Sequence, residues 1–86
     1  MNVTDTVLRV LDDALSLQGR ALAFDRDTLL LGSLPELDSM AVLALIGGLE
    51  SQFGIAFQDD QLHSAAFATV GSLSALVEQA LADAGA

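Results

Sequence analysis

Three stretches of this chain repeat their apolar residues at the three- and four-residue spacing of a single helix face, and that pattern restricts the fold more than any other feature. In the first, Val3, Val7, Val10, Leu11, Ala14 and Leu17 share a face, with Asp5, Arg9, Asp12 and Asp13 off it. The spacing predicts a helix over residues 3–17, capped by Asn2 or Thr4 and stopped by Gly19. In the second, Val42, Leu45, Ile46, Leu49 and Phe53 follow a proline-bearing loop. Pro35 biases Leu34 away from helical geometry, and Asp38 and Ser39 are both residue types that cap orphan amides, so this helix should begin at or beside Ser39. Gly54 suits its left-handed terminus. In the third, Val70, Leu73, Leu76, Val77, Ala80 and Leu81 form an inner face behind a Thr69 cap, and residues 83–86 should fray.

The connections carry weaker signals. Residues 18–37 hold the breakers Gly19, Gly32 and Pro35, an Asp25-Arg26-Asp27 cluster and a Leu29-Leu30-Leu31 triplet. Most of this segment should be irregular, with one short turn near Asp27, folded down by Phe24 and one or two of the leucines. Asp25 and Asp27 do not make a calcium loop, because no glycine occupies the sharp-turn position and the later ligand positions are apolar. After a loop at 55–58, Asp59-Asp60 should open a short helix ending near Ser64; two acids there suit a first turn rather than paired-carboxylate catalysis. Phe67 should anchor the loop before Thr69. The sum is an all-α fold in a single domain, residues 1–86: three longer helices plus one short helix, up-down, with a long first loop.

Composition closes off several functions. At 86 residues the chain is near the size at which one hydrophobic core just suffices, and with no cysteine it has neither disulfide support nor thiolate chemistry. The apolar fraction is 52%, yet the longest apolar run, residues 40–49, falls well short of the roughly 20 residues that span a bilayer. The first ten residues lack the basic region and apolar block of a signal peptide, so a cytoplasmic location is expected. Net charge is −9, from 12 acids against Arg9, Arg20 and Arg26, with no basic residue after Arg26. Such a field disfavours nucleic acid and anionic membranes and speeds encounter with basic protein partners; it also keeps a small apolar protein soluble.

A serine at the start of the second helix has its hydroxyl beside open N–H groups and the positive end of the helix dipole, a setting that favours phosphate. The ordered set Asp38-Ser39-Met40, Leu45, Ile46, Leu49, Glu50, Phe53-Gly54, Phe57, Asp59 and Thr69-Val70 resembles the acyl carrier and peptidyl carrier proteins, and spans residue 30 to about residue 81. The resemblance implies that Ser39 bears 4′-phosphopantetheine, attached from coenzyme A by a phosphopantetheinyl transferase, and that Asp38 helps hold magnesium during that transfer. It implies a monomeric carrier, not an enzyme and without a resident metal, whose arm carries acyl or aminoacyl groups as thioesters between partner enzymes of a biosynthetic pathway.

It further implies that partners dock on the outer face of the second helix, here Met40, Ala41, Leu43, Ala44, Gly47 and Glu50, with Ser51 beyond. Many acyl carriers stud that face with acids. Here it is small and uncharged apart from Glu50, so both basic and apolar docking surfaces stay open, and a specialised polysaccharide, lipid or polyketide-like pathway fits better than general fatty acid synthesis. Gly47 and Gly48 each cost about 1 kcal/mol relative to alanine in a helix. Either they admit a neighbouring element or they flatten a patch for a partner.

Two other functions fit the sequence less well. One is an acidic helical interaction module in which Ser39 is only a cap. The other, a serine hydrolase, fails on partners, because Asp38 and a distant His63 do not activate a nucleophile. His63, the sole histidine, reads as a surface or partly packed residue.

Overall fold

The computed structural model describes residues 2–85. Its α-helices are α1 (Val3–Leu15), α2 (Ser39–Phe53) and α3 (Val70–Gly85), and the connections include single 3-10 turns at Arg20–Ala23, Asp59–Gln61 and Ser64–Phe67. The described residues form no β-strand, only an isolated antiparallel bridge between Leu29 and Thr69. The all-α bundle expected from the periodicity is therefore present.

Helix α1 packs against both α2 and α3. Its Val7, Leu8, Leu11 and Leu15 are buried, as are Leu45 and Leu49 of α2 and Leu73, Leu76, Val77 and Ala80 of α3. Burying each large aliphatic side chain contributes about 1.5–3 kcal/mol. The side-chain oxygen of Asn2 accepts the Asp5 N–H at 3.3 Å and starts α1. The helix ends at Leu15, earlier than the apolar spacing predicts, because Ser16 turns left-handed (φ 54°, ψ 49°). Asp12 explains the early end: its carboxylate accepts the N–H groups of Gly19 at 2.9 Å and Ala21 at 3.2 Å, drawing the chain back across the helix end. Leu17 is still buried, but as a loop residue.

The long connection is sewn to the start of α3. Leu30 and Leu31 donate to the carbonyls of Ala68 and Phe67 at 2.8 and 3.0 Å, and Val70 and Gly71 donate back to Thr28 and Arg26 at 3.1 and 2.8 Å. This pairing sends Leu30 into the core and leaves Leu29 and Leu31 exposed. The turn expected near Asp27 is there: Asp25 Oδ1 accepts the Asp27 N–H at 2.9 Å, and Thr28 Oγ1 accepts the Asp25 N–H at 3.0 Å.

Two expectations need correction. The short helix over residues 59–64 is replaced by the two 3-10 turns, because Leu62 (φ −92°, ψ 66°) and His63 (φ −115°, ψ 161°) leave helical geometry. That break sets Ala66 and Phe67 into the core. At the other end, α3 continues through Asp83 and Ala84 to Gly85 rather than fraying, with Gln79 Nε2 donating to Asp83 Oδ1 one turn on at 3.0 Å; Ala86 lies outside the described residues. The Thr69 cap forms as expected, through Ser72 N–H to Thr69 Oγ1 and Thr69 N–H to Ser72 Oγ, each 3.0 Å.

The paired glycines of α2 divide between the two readings. A Cβ on Gly48 would lie 2.9 Å from Val10 Cγ1, so α1 approaches there as closely as a glycine allows, whereas a Cβ on Gly47 would meet nothing within 4 Å. Gly47→Ala should therefore stabilise the fold by about 0.5–1 kcal/mol through helix propensity. Gly48→Val should destabilise it by about 1–3 kcal/mol through overpacking. Urea denaturation of the two variants checks the opposite signs.

Candidate functional site

The approach to α2 is fixed by apolar anchors. Leu30 and Leu37 are buried, Leu34 donates to Leu30 O at 2.8 Å, and Leu37 donates to Leu34 O at 3.0 Å, closing a turn around Pro35. Arg20 forms an ion pair with Glu36, tying this turn to the first 3-10 turn. The hydrogen bond from that guanidinium holds the Glu36 carboxyl below its ordinary pKa.

Asp38 then stands in extended geometry (φ −98°, ψ −176°) as the N-cap of α2. Its Oδ1 accepts the Ala41 N–H at 2.8 Å, and its carbonyl accepts the Val42 N–H at 2.9 Å. Ser39 is the first helical residue and is exposed. Because Asp38 supplies the cap, the Ser39 hydroxyl has no capping duty, and among the described residues it makes no hydrogen bond. The N–H groups of Ser39 and Met40 precede any intrahelical partner, so they remain open at the positive end of the helix. A free hydroxyl, two open amides and a carboxylate with one oxygen unengaged meet at this helix start.

Leu31, Leu37 and Val42 line an open groove with Asp38 and Ser39. Leu31 and Leu37 are missing from the sequence-derived site; the only hint was the apolar triplet before Gly32. Met40 and Leu43 are 76% and 65% exposed, unusually open for large apolar side chains. Ala44, Gly47 and Ser51 are exposed beside them, and Ala41 is half-buried against the core. Glu50 differs from a free docking acid, since its Oε2 accepts the Phe57 N–H at 2.9 Å and fastens the loop after Gly54. His63 is exposed and borders Ser72, Ala75 and Leu76.

The model of the family described as phosphopantetheine attachment site matches residues 5–77. The solution structure of a holo acyl carrier protein from Nitrosomonas europaea superimposes with a TM-score of 0.89 at 39% identity, covering 95% of this chain and 99% of that one. A search of curated proteins gave no match. The chain belongs to the phosphopantetheine-bearing carrier family, that of the acyl carrier proteins. Its cofactor is covalent 4′-phosphopantetheine, which supplies a thiol on which acyl groups are held as thioesters. The exposed hydroxyl and open amides at the start of α2 fit the phosphate end of such an arm.

Asp38→Ala should cost about 1 kcal/mol of stability, while Asp38→Asn should stay within a few tenths, because asparagine caps equally well; urea titration separates them. The Arg20 contact has its own test. A lowered carboxylate pKa contributes stability above the ordinary carboxylate range and loses it as pH falls through the lowered value. In Arg20→Gln the Glu36 carboxyl should titrate higher than in the native protein, as read by side-chain NMR.

Proposed function

We propose that this protein is an acyl carrier in which Ser39 is the residue esterified by 4′-phosphopantetheine. The observation that carries the reading is the division of labour at α2: Asp38 caps the helix, and Ser39 faces solvent unengaged. An interaction module in which Ser39 serves only as a cap loses its premise, because the cap is the neighbouring carboxylate.

Asp38 has the second role of helping to hold magnesium while the arm is transferred; the carboxylate oxygen not bound to Ala41 is the one available. The carrier does no chemistry of its own. A long arm on an exposed helix start keeps an acyl group at high effective concentration for enzymes that visit in turn. Those enzymes are the phosphopantetheinyl transferase and the acyl-loading and acyl-processing enzymes of one pathway, meeting a monomer on the face of Met40, Ala41, Leu43, Ala44, Gly47 and Glu50. No described helix is long and apolar enough to cross a membrane, which is consistent with work in the cytoplasm. Net charge −9 argues against nucleic acid as a partner.

Incubation with coenzyme A, magnesium and a carrier transferase should add the mass of one arm to the native protein and none to Ser39→Ala, read by intact mass spectrometry. Asp38→Asn, which keeps the cap, should load at least tenfold more slowly, as expected where a charged ligand group is lost. No gain on the native protein, or a gain that persists in Ser39→Ala, contradicts the assignment.

A further inference from the structure

A thioester gives up its acyl group to thiols and to unprotonated amines, and a carrier holds that bond on an arm that swings past its own side chains. The molecule measures 35 × 26 × 21 Å, so a long arm rooted at Ser39 passes much of its surface. Neither acceptor occurs among the side chains of residues 1–86. There is no cysteine and no lysine, and all three basic residues, Arg9, Arg20 and Arg26, are arginines. A guanidinium stays protonated at neutral and mildly alkaline pH and does not attack a thioester.

The substitution of arginine for lysine matters most at position 20. Arg20 pairs with Glu36, three residues before Ser39, which puts its charge on the turn that leads to the attachment oxygen. The pair rests on a single N–H to carboxylate contact at a largely exposed site, without the two-pronged grip that only arginine provides. A lysine could therefore hold Glu36 about as well. It would differ in that the unprotonated fraction of its amine is a nucleophile. The sole imidazole is likewise without a hydroxyl to activate in its groove. His63 is exposed and borders Ser72, but the Ser72 hydroxyl donates to Ala66 O at 2.9 Å and accepts the Thr69 N–H at 3.0 Å.

Resting on the carrier reading above, we propose that Arg20 is the cation of the attachment turn that cannot capture the cargo, and that the carrier keeps acyl acceptors off its side chains so that a loaded acyl group leaves only to a partner enzyme. The reaction avoided is transfer within the molecule. An amine nitrogen would bond to the acyl carbon, the C–S bond would break, and the proton lost by nitrogen would end on sulfur, leaving an amide and a free thiol. Tethering gives a side chain within reach an effective concentration of roughly millimolar order toward the arm, which is what makes a nearby amine harmful.

The test uses the native protein, Arg20→Lys, Arg20→Gln and Met40→Lys, each given an acetylated arm from acetyl coenzyme A by a carrier transferase. The loaded proteins are held at about pH 9, treated with hydroxylamine, which cleaves thioesters and spares amides, and weighed intact, with peptide mapping of any acetyl that remains. Arg20→Lys should lose its thioester about fivefold faster than the native protein and gather hydroxylamine-resistant acetyl at the substituted position. Met40→Lys, beside Ser39 and at a side chain 76% exposed, should do the same. Arg20→Gln, which lacks the ion pair and the amine alike, should lose its thioester at the native rate by hydrolysis alone. Position 20 is exposed, so both of its variants should fold, as circular dichroism checks. A native-like thioester lifetime in Arg20→Lys, while the native protein is loaded normally, overturns the inference and leaves the carrier reading intact. Loss in Arg20→Gln as fast as in Arg20→Lys, or resistant acetyl on a side chain of the native protein, overturns it as well. Failure to load the native protein at all removes the carrier reading and this inference with it.

Discussion

One hydrogen bond, from the Ala41 N–H to the Asp38 carboxylate, sets the chemistry of this molecule. A helix must satisfy or solvate its first N–H groups, and the residue that does so is committed to the backbone. Had Ser39 filled that position its hydroxyl would be an acceptor folded onto the next turn. Placing the acid one residue earlier moves the serine to the first helical position, where its oxygen projects into water beside the open amides. Adjacent acid and serine thus part company: the acid is committed to the backbone, and the serine's oxygen is left free for the attachment proposed above.

That arrangement is held from below by apolar contacts. Leu30, Leu34 and Leu37 fix the turn that delivers the chain to Asp38, and Leu45 and Leu49 seat α2 on α1. Gly48 lets the two helices close to the distance at which a Cβ would strike Val10. Because α1 packs on both other helices, it is the common wall of the core. Its Asp12, by gathering the amides of Gly19 and Ala21, starts the long connection in the direction that leads over to α3. The cap, the loop and the core are one linked structure rather than a motif resting on a scaffold.

Much of this was legible in the sequence, because helix periodicity and capping are local physics. The stripe of α2, the Thr69 cap and the left-handed end at Gly54 follow from residues within one or two turns of each other. What was not legible depends on distant partners. Nothing within Leu29-Leu30-Leu31 says which leucine goes inward; the ladder to Phe67 and Ala68 decides it. Glu50 reads as a flanking surface acid until the chain, turning at Gly54, brings the Phe57 amide back to it. Asp12 sits off the apolar face of α1 and gives no local sign that it will bind amides seven and nine residues on. The groove of Leu31, Leu37 and Val42 beside Ser39 is likewise a product of the folded loop.

The most direct measurement is a phosphorus–proton correlation spectrum of the loaded protein, recorded with its amide spectrum. If Asp38 keeps the cap while Ser39 bears the arm, the phosphorus couples to the β protons of Ser39 and the Ala41 amide stays where it lies in the unloaded form. Coupling to any other serine, or an Ala41 amide displaced because the carboxylate has released it, would contradict the separation of cap and attachment oxygen on which the carrier role depends.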